Sequence, residues 1–143
     1  MCLIVDANLC SILFKKTSDT SYKKLRETIF SNRISLLHGG KLTDEYYRAG
    51  VLGIVAVLAQ SGRAFKVDKT LIDQELAAIN GLCESNDSHV IALARADRQR
   101  GRVLCTKDQA LKNDFKNKSL IDRPRGTIDS PSRHKESLSS CKT

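Results

Sequence analysis

The stretch Cys2-Leu3-Ile4-Val5-Asp6-Ala7-Asn8 decides the fold. A small apolar run leads straight to a lone carboxylate, and an amphipathic segment follows at once. A strand that is apolar on both faces reads as a central strand of a parallel sheet with helices over each side. Ligands of such open sheets bind just beyond the carboxyl ends of the strands, where Asp6 stands. The rest of the chain is therefore read for other acids that reach the same edge.

Working outward, Leu9, Ile12 and Leu13 recur at helical spacing. Tyr22, Leu25 and Ile29 form the stripe of a second helical piece, with Lys23, Lys24 and Arg26 on its wet side. Ile34-Ser35-Leu36-Leu37 reads as a short strand closed by the turn His38-Gly39-Gly40. Thr43 is expected to cap a helix running to about Ser61, with Asp44 and Glu45 in its first turn and Gly62 as its C-terminal cap. Its run from Val51 to Leu58 is apolar nearly all round, which places it deep and nominates it for a subunit contact. Ala64 to Val67 reads as extended chain or a short strand, and Asp68 caps a helix with Leu71, Ile72, Leu76 and Ile79 inward. Ser85 to Ser88 opens a helix that buries Val90, Ile91, Leu93 and Ala94 and ends at Gly101. Val103-Leu104-Cys105-Thr106 is a second apolar strand leading to Asp108. A short helix through Leu111 and Phe115 follows, then an expected edge strand at Leu120-Ile121. This alternation predicts an α/β fold: a three-layer α/β/α sandwich around a central, mostly parallel sheet of four or five strands.

The 143 residues suffice for one domain with a sizeable core. That domain is expected over residues 1–122. Composition changes after Asp122, where both prolines and a serine-rich, weakly basic stretch predict a flexible tail over 123–143. A formal charge of +8 points to a polyanionic or acidic partner and is silent about fold. Cysteines at 2, 10, 83, 105 and 141 show no metal-like pairing, so reduced thiols and a cytoplasmic protein are expected. No apolar run approaches the roughly 20 residues of a membrane span, and no basic region precedes an apolar core as in a signal peptide. Phosphate-cradling loops of the G-x-x-x-x-G-K-[ST] or G-x-G-x-x-G kind are missing, which removes nucleotide binding through them.

Asp6 and Asp108 both follow apolar strands and so reach one sheet edge, while Glu45 and Asp87 begin helices entered from that edge. Taken singly, an acid at a helix start is ordinarily a cap. Four that converge repel one another unless a cation compensates. Hard ions such as Mg²⁺ or Mn²⁺ take oxygen ligands of this type and can promote in-line attack on a phosphodiester.

The arrangement resembles the PIN-domain ribonucleases over residues 2 to about 121. Asp6 in Leu-Ile-Val-Asp-Ala-Asn resembles that family's first-strand aspartate, and Glu45 in Leu-Thr-Asp-Glu-Tyr its glutamate. Asp87 in Asn-Asp-Ser-His-Val-Ile-Ala-Leu-Ala and Asp108 in Val-Leu-Cys-Thr-Lys-Asp complete the set. The resemblance implies an Mg²⁺- or Mn²⁺-dependent endoribonuclease with Asp6, Glu45, Asp87 and Asp108 as catalytic metal ligands. It further implies a homodimer, and a toxin whose partner is an antitoxin protein. Relatives often carry another acid where this chain has Ala110, and Asp114 is the expected substitute ligand. One firmly held ion is expected, with a second completed by substrate phosphate. Asn8 and Thr106 are expected to orient a carboxylate or water. His89 is expected to pack or to lie at the surface, with substrate contact as the alternative.

Arg95, Arg98, Arg100, Arg102, Lys107 and Lys112 are the expected RNA-binding cations. With no tryptophan and few aromatics, a structured RNA suits the surface better than a long stacked single strand. Two other functions stand beside this one. A catalytically weak nucleic-acid-binding or regulatory module would keep the fold and lose the chemistry. A phosphatase using an aspartyl phosphate would ordinarily want an acid at position 8, where Asn8 stands.

Overall fold

The structure, a computed structural model, describes residues 2–14, 26–27, 35–122, 124 and 126–128. Cys2–Val5 forms β1, buried throughout as its unbroken apolar run requires. Ser35–His38 forms β2, Ala64–Lys66 β3, Val103–Cys105 β4 and Gly126–Ile128 β5. Their order across the sheet is β3-β2-β1-β4-β5, and every neighbouring pair is parallel. From β1 the chain lays down β2 and β3 on one side, then returns to place β4 and β5 on the other. That reversal makes the seam between β1 and β4 a topological switch point, where an open sheet leaves a crevice at its carboxyl edge.

Ala7–Phe14 forms α1, Gly40–Arg48 α2, Leu52–Gln60 α3, Lys69–Ala78 α4, Ser88–Ala96 α5 and Gln109–Lys116 α6. The helices cover the sheet in a three-layer α/β/α arrangement. Leu3, Ile4, Leu36, Val90, Ile91 and Leu104 belong to one continuous core between the layers. Helix α4 packs along α5, and α2 touches α1, α3, α4 and α5. Among the described residues no helix is long and apolar enough to cross a membrane.

Several expectations change here. The helix expected from Thr43 to Ser61 is two helices. Gly50, at φ 75°, ends α2 in a left-handed conformation that glycine takes at little cost, and Val51 starts α3. Helix α2 also starts earlier, at Gly40, so Thr43 does not cap it and Glu45 sits in its second turn. Thr43 Oγ1 instead shares a hydrogen bond with Nδ1 of His38 (2.9 Å). The turn before α2 requires Gly39, because a Cβ there would meet Ile72 Cδ1 at 2.7 Å and the carbonyl oxygen of Val67 at 2.8 Å.

Helix α3 is not deep. Val55 and Leu58 are buried, but Val57 is 58% exposed, so its all-round apolar character exceeds what this chain covers. Leu120-Ile121 is a buried turn rather than an edge strand, and the edge is β5, inside the stretch expected to be tail. The sheet thus extends past residue 122, because Gly126 to Ile128 find unpaired backbone groups along β4. The helical piece over 22–29, apart from residues 26–27, and the tail from residue 129 lie outside the described residues.

Candidate metal centre

Asp6 leaves β1 at the switch point and is 3% exposed. Its backbone N–H donates to Cys105 O (2.9 Å), and Thr106 Oγ1 donates to its Oδ2 (2.7 Å), so β4 fixes both its main chain and its carboxylate. Thr106 also accepts from the N–H of Asp108 (3.1 Å). Burial pushes the Asp6 carboxyl above its ordinary value; the Thr106 bond opposes this, and the charges of Asp87 and Glu45 add to it.

Glu45 reaches the same edge from α2. The next residue, Tyr46, is fully buried, and its hydroxyl donates to the carbonyl of Val5, the last residue of β1. Tyr46 thereby pins α2 against the strand end beside Asp6. Burial drives its phenol pKa well up, so this hydroxyl stays a donor.

Asp87 occupies the N-cap position of α5, yet its side chain accepts no capping hydrogen bond. The usual reason for an acid at a helix start is therefore missing, and the carboxylate is left for something else. His89, two residues on and 5% exposed, sets Nε2 against Oε1 of Glu45. Ligand atoms of Glu45, Asp87 and His89 all lie within 4.8 Å of one another, and among the described residues this is the single His/Cys/Asp/Glu group so placed. Two carboxylates and an imidazole are a fitting donor set for a divalent ion. Asp6 stands near enough for its titration to feel both carboxylates.

Asp108 and Asp114 are engaged differently. Asp108 caps α6, its Oδ1 accepting from Ala110 N (2.9 Å) and Leu111 N (3.2 Å), and it joins the centre only through Thr106. Asp114 is 3% exposed, with Oδ1 accepting from Glu84 N (2.8 Å) and Oδ2 from Ser85 N (2.9 Å). Its carboxylate holds the loop that delivers Asp87 rather than joining the close group. Asn8 is exposed in the first turn of α1. His89 is the residue that sequence reasoning undervalued. A histidine two places after a helix-opening acid carries little signal until α2 brings Glu45 over it.

Of the expected RNA-binding cations, Arg95 binds Glu75 Oε2 (2.8 Å) and Leu120 O (2.8 Å), tying α4 and α5 to the 120 turn. Arg100 pairs with Asp97 (2.9 Å) and lies 4.2 Å over the Phe65 ring. Arg98 is exposed beyond α5, Arg102 half-buried before β4, and Lys112 buried on α6. Lys107 is exposed between Thr106 and Asp108, at the carboxyl edge itself. Cys2, Cys10 and Cys105 are buried, and burial pushes the Cys10 thiol far up, which leaves it unreactive.

Comparisons with protein-family models, with curated proteins and with solved structures returned no match to this chain. What stands is a small α/β domain whose parallel sheet carries a buried acid and histidine cluster at its switch point.

Proposed function

We infer that this chain is a metal-dependent endoribonuclease of the PIN-like kind. The observation that carries the reading is the close group Glu45, Asp87 and His89 beside Asp6, at the crevice where open sheets bind ligands. Glu45, Asp87 and His89 would hold one divalent ion. Such an ion supplies neutralisation of phosphate charge and Lewis-acid polarisation of a phosphoryl oxygen. Oxygen ligands alone suit Mg²⁺ and Mn²⁺ alike, whereas the imidazole nitrogen tilts the set towards Mn²⁺.

The chain's own groups divide the remaining work. Nε2 of His89 and Oε1 of Glu45 share a hydrogen bond, and an ion held by both groups would take its place. Thr106 keeps one Asp6 oxygen turned towards β4. Lys107, exposed at the same edge, is the cation best placed to meet a neighbouring RNA phosphate. An aspartyl-phosphate mechanism fits less well, because Asp6 is nearly sealed and its Oδ2 already accepts a hydrogen bond. Partners proposed with this function are RNA, an antitoxin protein, and a second copy of the chain, all in the cytoplasm. Exposed Tyr47 and Val57 on α2 and α3 support the second copy, and a monodisperse monomer at micromolar concentration counts against it.

The test is cleavage of one labelled structured RNA, with Mn²⁺, Mg²⁺ or EDTA, run beside Mn²⁺ binding by calorimetry. Glu45→Gln and Asp87→Asn should lose cleavage by roughly 100-fold or more and Mn²⁺ affinity by at least ~10-fold. Asp44→Asn, one residue from Glu45 and exposed, should stay near wild type. Metal binding without any cleavage would favour the regulatory module instead. Unchanged cleavage in Asp87→Asn would defeat the centre altogether.

A further inference from the structure

A cavity of about 400 Å³ opens between the last turn of α4, the loop that follows it and the first turn of α5. Leu76 and Ile79 give it an apolar wall, the first half-buried and the second buried. Asn80, Ser85, Asn86 and Ser88 give it a polar one, and none of its lining residues is an acid, a lysine or an arginine. Asn86 and Ser88 are the two chain neighbours of Asp87, so the cavity wall runs within about 3.8 Å, one Cα step, of a proposed metal ligand. The loop is held in shape from outside, because Asp114 accepts from the N–H groups of Glu84 (2.8 Å) and Ser85 (2.9 Å).

Local backbone chemistry accounts for only part of the polar wall. Serine and asparagine are ordinary in turns and at helix starts, where their side chains bond nearby amides. Ser85 does this, its Oγ accepting from the N–H of Asp87 (3.3 Å). The side chains of Asn80, Asn86 and Ser88 do not, and among the described residues none of them makes a hydrogen bond. Two carboxamides and a hydroxyl are thus left facing water around a preformed hollow with an apolar side.

We propose that this cavity receives one unstacked base of the RNA, beside the phosphate met by the metal group, and so selects the nucleotide at which the RNA is cut. The proposal rests on the nuclease reading for the phosphate and on the cavity alone for the base. Base edges carry donors and acceptors side by side, and an asparagine carboxamide offers one of each kind in a single plane. RNA sequence is read chiefly where bases leave the stack. Leu76 and Ile79 supply apolar contact for the face of such a base. A phosphate finds no counter-charge in this lining, which leaves the RNA backbone to the metal group. Base and phosphate of one nucleotide are joined through a single ribose, in keeping with the adjacency of Asn86 and Asp87. The volume lies at the low end of ligand pockets and suits one base with its ribose rather than a length of strand.

Amide chemical-shift titration of the full chain, in EDTA, tests the base pocket with adenosine, guanosine, cytidine and uridine, and with ribose 5-phosphate as control. The amides of residues 80–88 should shift with nucleoside and stay still with ribose 5-phosphate. The best and worst nucleosides should differ in affinity by roughly tenfold, the discrimination of one two-bond carboxamide contact. Asn80→Ala with Asn86→Ala should weaken the best one by roughly tenfold and level the set. The melting temperature should hold, since neither carboxamide is bonded within the described fold. Ser85 is left intact because it steadies Asp87. Glu45→Gln should leave nucleoside binding unchanged. With Mn²⁺, the wild type should cleave RNAs that differ only at the nucleotide beside the cut with unequal kcat/KM, and the asparagine pair should cleave them alike. No shift at millimolar nucleoside, equal affinity for all the nucleosides, or a preference that survives in the asparagine pair would each overturn the proposal. A wild type that binds a nucleoside selectively yet cuts no RNA would defeat the nuclease reading and leave the base pocket standing.

Discussion

Asp6 and His38 are both buried near the carboxyl edge, and they respond to acid in opposite senses. The Asp6 carboxyl is held above its ordinary 3.8, first by burial, so the folded state binds its proton more tightly than the unfolded chain does. Its contribution to stability is full below about that ordinary value and is lost as pH rises through the folded one. Above that folded value the ionised group is therefore a net cost. Asp6→Asn should raise the melting temperature of the metal-free protein at pH ~7 and, if the proposed function holds, remove RNA cleavage. A lower melting temperature would mean that the Thr106 bond outweighs burial and the two neighbouring charges. His38 is depressed below its ordinary 6.5, first by burial and then by Lys66. Its stability contribution is present above that value and fades as pH falls through it towards the folded value. Melting curves from pH ~7.5 to ~5.5 should show a decline that His38→Asn flattens; the same slope in the variant would assign the decline to other groups. At this scale Asp6 drew notice because a carboxylate after a buried strand has few bland explanations, whereas Asp108, in the same setting, caps α6. His89 was not legible, since its partner lies 44 positions away on α2.

Elements deliver these side chains, and two polar anchors do most of the aiming. Tyr46 fastens α2 to the end of β1, and Asp114 on α6 fastens the loop over residues 84–85 that leads into α5. Asp114→Asn trades one acceptor for a donor facing an amide. It should cost about 1–3 kcal/mol of stability and weaken Mn²⁺ binding indirectly through a looser Asp87. The telling comparison is Asp87→Asn, which should lose the metal without that loss of stability; equal melting temperatures for wild type and Asp114→Asn would refute the anchoring role. Strands β1, β2 and β4 were readable from their apolar runs. The division between α2 and α3 was harder, because an apolar stripe passes over Gly50 unchanged and only its backbone conformation breaks the helix. The start of α2 was misplaced for a related reason. Thr43 has the composition of a cap, but Gly39 fits the crowded turn where no side chain can.

The whole molecule is a sheet grown outward in both directions from its first strand. Its parallel architecture followed from the alternation of apolar runs and amphipathic segments. Its far edge did not, since Gly126-Thr127-Ile128 has too little apolar character to announce a strand and gains its place by pairing with β4. Deleting residues 124–143 should consequently lower the melting temperature by several degrees, whereas deleting 130–143 should not; equal effects would show that β5 contributes nothing to stability. The seam between β1 and β4 has a further consequence, and it concerns time. The Thr106 bond to Asp6 joins residues 100 positions apart, and closing a loop of that length costs about 4 kcal/mol in chain entropy. Contacts so distant form late, after β1, β2 and β3 have had the means to pair. On a ribosome the order is stricter still. A nascent chain that stops before Val103 already carries Asp6, Glu45, Asp87 and His89, yet has neither the strand nor the hydroxyl that sets Asp6. Such a chain cannot assemble the complete centre, so the proposed activity would arise only after β4 has emerged and paired with β1.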